Sequence, residues 1–66
     1  MPKNIIIIGA GGHAKVIADI VLKSGNNLIG FLDDNKAGDT VVGFEVFGRI
    51  DKIEEFEDKA EFVIGI

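Results

Sequence analysis

Asn4-Ile5-Ile6-Ile7-Ile8-Gly9-Ala10-Gly11-Gly12-His13-Ala14-Lys15-Val16-Ile17-Ala18 is the stretch on which the fold turns. Its four consecutive isoleucines are stiff at χ1 and suit a pleated backbone. The run has no polar alternation, so both faces of this strand should be buried, as in a parallel sheet covered by helices. Asn4 and Gly9 bound it at strand length rather than helix length. Gly9, Gly11 and Gly12 then let the chain turn sharply and leave its backbone bare. A helix starts at Gly12 or His13, and its first N–H groups have no partner within the helix. Those groups and the positive dipole end suit an anion, above all a phosphate.

From His13 to Lys23 the pattern is helical. Ala14, Ile17, Ala18 and Val21 make one apolar face, and Val16 and Ile20 widen it. Asp19 and Lys23 are spaced for an ion pair on the other side. Ser24-Gly25-Asn26-Asn27 ends the helix, with Gly25 as the left-handed residue past its end. Leu28–Leu32 reads as a second strand, apolar on both faces and closed by Asp33-Asp34-Asn35. Lys36–Thr40 is a polar loop. The stretch 41–48 reads as a short extended piece with Val46 and Phe47 tucked in.

A short helix is expected over Asp51–Glu57, with Asp51 and Glu54 as an N-terminal capping pair. Glu54, Glu55, Glu57 and Asp58 form its solvated face. The last strand is Glu61–Ile66. Alternating elements of this kind give an α/β fold: a small or partial Rossmann-like open parallel sheet of β-α-β-α-β order with right-handed crossovers. The first strand should lie in the middle, the second on one side and the last on the other. The carboxyl ends of the first and last strands then form a topological switch point, where open α/β sheets bind ligands.

Sixty-six residues allow one domain with a small core. There are no cysteines, so neither a disulfide nor a thiolate metal site supplements it. A net charge of −4 argues against a nucleic-acid surface. No run approaches the ~20 apolar residues that span a bilayer. The start lacks the form of a signal peptide, so a cytoplasmic location is expected.

Gly9, Gly11 and Ala14 satisfy G-x-G-x-x-G/A, and Asp33 and Asp34 follow ~20 residues on, which is the spacing of a dinucleotide fingerprint. The alternative is a tight structural turn with no ligand. His13 at the helix start can donate to a phosphate or ribose oxygen, or face solvent as a polar first-turn residue. It is the only histidine and supports no metal site. Asp33 and Asp34 can accept from a ribose or a base, or simply close the loop. Lys15 lies in the first helical turn, against the dipole, where it can approach a phosphate or, as the safer reading, belong to a solvated face.

With these residues on the page, the chain resembles the N-terminal domain of sugar acyltransferases of the sialic acid O-acetyltransferase (NeuD) and PglD type. The resemblance rests on four blocks. They are Ile-Ile-Gly-Ala-Gly-Gly-His-Ala-Lys-Val (7–16), Gly-Phe-Leu-Asp-Asp (30–34), Val-Phe-Gly (46–48) and Phe-Val-Ile-Gly-Ile (62–66). It implies a Rossmann-like domain that holds a UDP-sugar or related nucleotide sugar. It also implies a left-handed β-helix domain, absent from this chain, which binds acetyl-CoA and carries the catalytic histidine, usually in a trimer. His13 is therefore not the catalytic base, and this segment alone is expected to be non-catalytic and to bind no cofactor. The substrate-contacting positions implied are Gly11, Gly12, His13, Asp33, Asp34, Ile64 and Gly65, with Gly9 in the diphosphate cradle. Members of this type often carry Ser where this chain has Gly11, which removes a hydroxyl contact to phosphate. The rival readings are the NAD-binding half of an oxidoreductase, with Asp33 on the adenosine ribose, and a non-catalytic nucleotide-binding or assembly module.

Overall fold

The computed structural model describes residues 2–66. Strand β1 (Asn4–Ile8) leads through the glycine turn into α1 (Gly12–Lys23), and β2 (Asn27–Leu32) follows. A hairpin of β3 (Thr40–Val41) and β4 (Phe44–Gly48) comes next, then a 3₁₀ turn (Ile50–Lys52), α2 (Ile53–Phe56) and β5 (Glu61–Ile64). The sheet order is β3-β4-β2-β1-β5, so β1 lies between β2 and β5 as the alternation of elements predicts. β1, β2, β4 and β5 run parallel, and only β3 is antiparallel to its neighbour. This is an α/β, Rossmann-like sheet of partial extent.

The isoleucine run explains the centre. Ile5 and Ile7 point to the face covered by α1, where Ala14, Ala18 and Val21 meet them together with Phe31 and Val46. Ile6 and Ile8 point to the other face, under Ile50, Ile53, Phe56 and Phe62. Small alanines at 14 and 18 let α1 lie close to the sheet. The second face is closed by Phe47 and Phe56, whose rings stack with centroids 5.2 Å apart. A bulge in β2 shifts its register against β1 between Ile5 and Ile6. It lets Leu28 and Phe31 share one face although they are three residues apart. The end of α1 follows its sequence signals. Gly25 takes φ +84°, and Lys23 pairs with Asp19 at 2.9 Å.

Four expectations need correction. Val16 and Ile20 do not widen the buried face; they are 55% and 57% exposed, because α1 meets the sheet on a narrower stripe. The stretch 41–48 is not one extended piece but a hairpin whose second strand joins the sheet. Its tip, Val42-Gly43, has φ of +44° and +86°, the signs of a type I′ turn. The helix over 51–57 is split into a 3₁₀ turn and a single α-turn. No capping bond from Asp51 forms, since Arg49 and Lys52 occupy the cap positions. The last strand ends at Ile64 rather than Ile66.

Candidate functional site

The parallel strands deliver their carboxyl ends to one edge, where backbone bonds tie them together. Gly9 N–H donates to Leu32 C=O at 2.7 Å, joining β1 to β2. Asp33 N–H donates to Gly48 C=O at 3.0 Å, joining β2 to β4. Gly65 N–H donates to Ile8 C=O at 2.8 Å, joining β5 to β1. The switch point between β1 and β5 is therefore closed by the residues immediately after each strand.

The glycines at this edge differ in kind. Gly9 has φ +110°, and a Cβ there would stand 3.1 Å from Gly65 O. A Cβ on Gly65 would stand 2.7 Å from Ile7 Cγ2 and 3.2 Å from Ala14 Cα. Both positions are packed and demand glycine. A Cβ on Gly11 or Gly12 would meet nothing within 4 Å. Gly11 is the N-cap of α1, has extended backbone, and offers no side chain to cap the helix. No acidic residue lies in the first turn. The first N–H groups of α1 thus face an open edge with the dipole behind them, which is the chemistry of an anion site.

His13 is exposed in that first turn, and its ring makes no hydrogen bond among the described residues. Asp33 and Asp34 point to different places. Asp33 Oδ2 accepts from Ala10 N–H and Oδ1 from Asn35 N–H, both at 2.8 Å. It therefore holds the glycine turn from the end of β2. Asp34 Oδ1 accepts from Ile50 N–H at 2.9 Å and lies 4.0 Å from Arg49 Nε, so it holds the start of the 3₁₀ turn instead. Ile64 is 65% exposed beside the buried Gly65.

Lys36 also reaches the glycine turn, although no sequence signal marks it. Its Nζ donates to Ala10 C=O at 3.3 Å. Ala10 is thus held at both ends, its N–H by Asp33 and its C=O by Lys36. Lys36 also lines a cavity of about 380 Å³, together with Lys15, Asp39, Thr40, Val41 and Val42. Lys36 sits in a polar loop with no periodicity, so only the fold brings it to the glycine turn. Among the described residues no group of three or more His, Asp or Glu side chains is placed to hold a metal ion. No helix there is long and apolar enough to cross a membrane.

Fold and edge together define a Rossmann-like α/β domain with an open glycine turn at its switch point. Residues 4–66 match the PglD N-terminal domain, and the chain belongs to that family. The chain is also similar to uncharacterized protein L142 of Acanthamoeba polyphaga mimivirus, at 38% identity over 58 residues. That match covers 88% of this chain and 12% of the viral protein, so the chain spans only a small part of its relative.

Proposed function

We propose that this domain holds a UDP-sugar for an acetyl-CoA-dependent sugar O- or N-acetyltransferase. The open backbone at Gly11 and Gly12, at the start of a helix without an acidic first turn, supports this reading most directly. A diphosphate would accept from those N–H groups, with Gly9 shaping the turn beneath it. His13 would donate to phosphate or sugar. Uridine would lie toward Asp33 and Asp34, and the sugar toward Ile64 and Gly65. Acetyl-CoA and the transfer step belong to the β-helix domain that accompanies such domains, in a homotrimer. The location that fits is the cytoplasm, where these nucleotides are found.

The NAD reading asks Asp33 to accept from a ribose. Each of its oxygens already accepts one backbone N–H and keeps a second lone pair, so Asp33 would serve the ribose of NAD and that of UDP alike, and it is the family match that favours the uridine nucleotide. We therefore expect UDP or a UDP-sugar to raise the melting temperature more than NAD at equal concentration, since a ligand stabilises according to its affinity for the native state. Stabilisation by NAD with none by UDP would replace this reading with the oxidoreductase one.

A further inference from the structure

The peptide unit between Ala10 and Gly11 lies just ahead of α1, outside its hydrogen-bond ladder. The first bond of that ladder runs from Lys15 N–H to Gly11 C=O at 3.3 Å, so the helix does not hold Ala10 C=O. Gly11 N–H makes no hydrogen bond among the described residues. A peptide plane turns over when ψ of the residue before it and φ of the residue after it change together, while the rest of the chain stays in place. The residue after this plane is glycine, which takes positive φ about as readily as its present −86°. What holds the plane is Lys36, whose Nζ donates to Ala10 C=O at 3.3 Å. The loop that presents Lys36 is itself braced. Lys36 N–H donates to Asp33 C=O at 3.4 Å, Asp39 N–H to Lys36 C=O at 2.9 Å and Gly38 N–H to Val46 C=O at 3.0 Å. Asp33, whose carboxylate holds the preceding plane through Ala10 N–H, belongs to the same turn.

We infer that Lys36 is a positioning residue, a lock on the Ala10–Gly11 peptide plane that fixes the direction of the Gly11 N–H. In a trans peptide the C=O and the N–H point opposite ways, so a carbonyl held by Lys36 on one side turns the amide hydrogen to the other. Without the ammonium a second orientation is open to the plane, with the carbonyl oxygen where the N–H had been. Ala10 is fully buried, so Lys36 also gives its carbonyl a partner. That service alone would not depend on which residue stands at position 11. The lock does depend on it, because a side chain there disfavours positive φ and keeps the plane in place without Lys36. The lock itself asks for no ligand. Its consequence for binding rests on the nucleotide reading above, in which Gly11 N–H donates to the diphosphate.

The test is a double-mutant cycle in the full chain, comparing wild type, Lys36→Met, Gly11→Ala and the two changes together. Alanine suits the present φ −86° and ψ −161° of Gly11, and a Cβ there would meet nothing within 4 Å. Its cost as a poorer N-cap is common to both sides of the cycle and cancels. The residual dipolar coupling and ¹⁵N relaxation dispersion of the residue 11 amide read the plane in the free protein. Wild type should show one orientation, Lys36→Met exchange between two, and the double variant one again. Lys36→Arg, which keeps a charged donor, should behave as wild type does. Calorimetric titration with UDP reads the consequence. Lys36→Met should weaken UDP about fivefold, the order expected when one hydrogen bond no longer favours the competent orientation. Adding Gly11→Ala should restore most of that loss, although it brings neither charge nor donor. A single, unchanged orientation in Lys36→Met overturns the lock. So does a loss of UDP affinity that Gly11→Ala leaves in place, since Lys36 would then act by its charge or as the carbonyl's partner alone. Exchange that Gly11→Ala quenches, in a protein whose wild type binds no UDP, keeps the lock and overturns the nucleotide reading.

Discussion

Gly9 and Gly11 stand two residues apart in one fingerprint and are glycine for opposite reasons. Gly9, with its partner Gly65, is closed in: left-handed backbone and neighbouring atoms exclude a side chain. Gly11, with Gly12, is open: ordinary backbone and empty space would admit one. The first pair brings β1, β5 and α1 into contact. The second pair exposes N–H groups at the end of that assembly. A motif written as G-x-G-x-x-A therefore mixes residues that build the edge with residues that leave it accessible. Packing tells them apart, and so does mutation.

The largest effect should come from Gly65→Ala. Its Cβ meets Ile7 Cγ2 at 2.7 Å and the α1 backbone at 3.2 Å, and a helix backbone cannot step aside as a side-chain tip can. We expect a loss of about 1–3 kcal/mol, the usual cost of overpacking. For a domain of this size that is a large part of its stability. Gly12→Ala, by contrast, should stay within about 0.5 kcal/mol of wild type, since the added methyl touches nothing. Urea denaturation of the two variants side by side reads the contrast. Equal losses would mean that the open pair is also packed.

Asp33→Ala comes next. Ala10 is fully buried, and its N–H has Asp33 Oδ2 as its acceptor. Removing the carboxylate strands that donor, at a cost of about 1–3 kcal/mol. Asp33→Asn keeps one oxygen and should cost clearly less. Asp34→Ala should cost less than Asp33→Ala, because Asp34 is half-exposed and its partner Ile50 is only partly buried. If the two alanine variants melt alike, Asp33 is not the brace of the glycine turn.

These contrasts also mark what the sequence could reveal. The four isoleucines announced a strand buried on both faces because chemistry and length agreed. The helix was legible from its alanine stripe and from Gly25. The hairpin was not, since its tip holds Val42 where Asn or Gly would have signalled a type I′ turn. The split of the second helix was hidden in the same way, because Asp51 and Glu54 have capping spacing without capping geometry. At the site, the glycine turn and Asp33 could be found by spacing. The bond from Ala10 to Asp33 crosses 23 residues and that from Lys36 to Ala10 crosses 26, and no local pattern encodes contacts of that span.

The smallest effect on stability, and the finest probe of the open pair, is Gly11→Ser. The position has space for the side chain and an extended backbone of φ −86° and ψ −161°, which serine adopts without strain. As an N-cap, serine gains only about a few tenths of a kcal/mol over glycine, so the unliganded melting curve should scarcely move. Binding separates two uses of the new hydroxyl. Its O–H can donate to a phosphate oxygen, or its oxygen can accept from a first-turn N–H that the phosphate would otherwise take. We expect the donor role to win when ligand is present, because a hydrogen bond to a charged oxygen is stronger than a neutral cap. UDP should then bind several-fold more tightly, by about 1 kcal/mol. Tighter UDP with an unchanged melting curve would establish the open glycines as phosphate-facing. A more stable protein that binds UDP more weakly would show that the hydroxyl had capped the helix, and that the free N–H groups had been the ligand's.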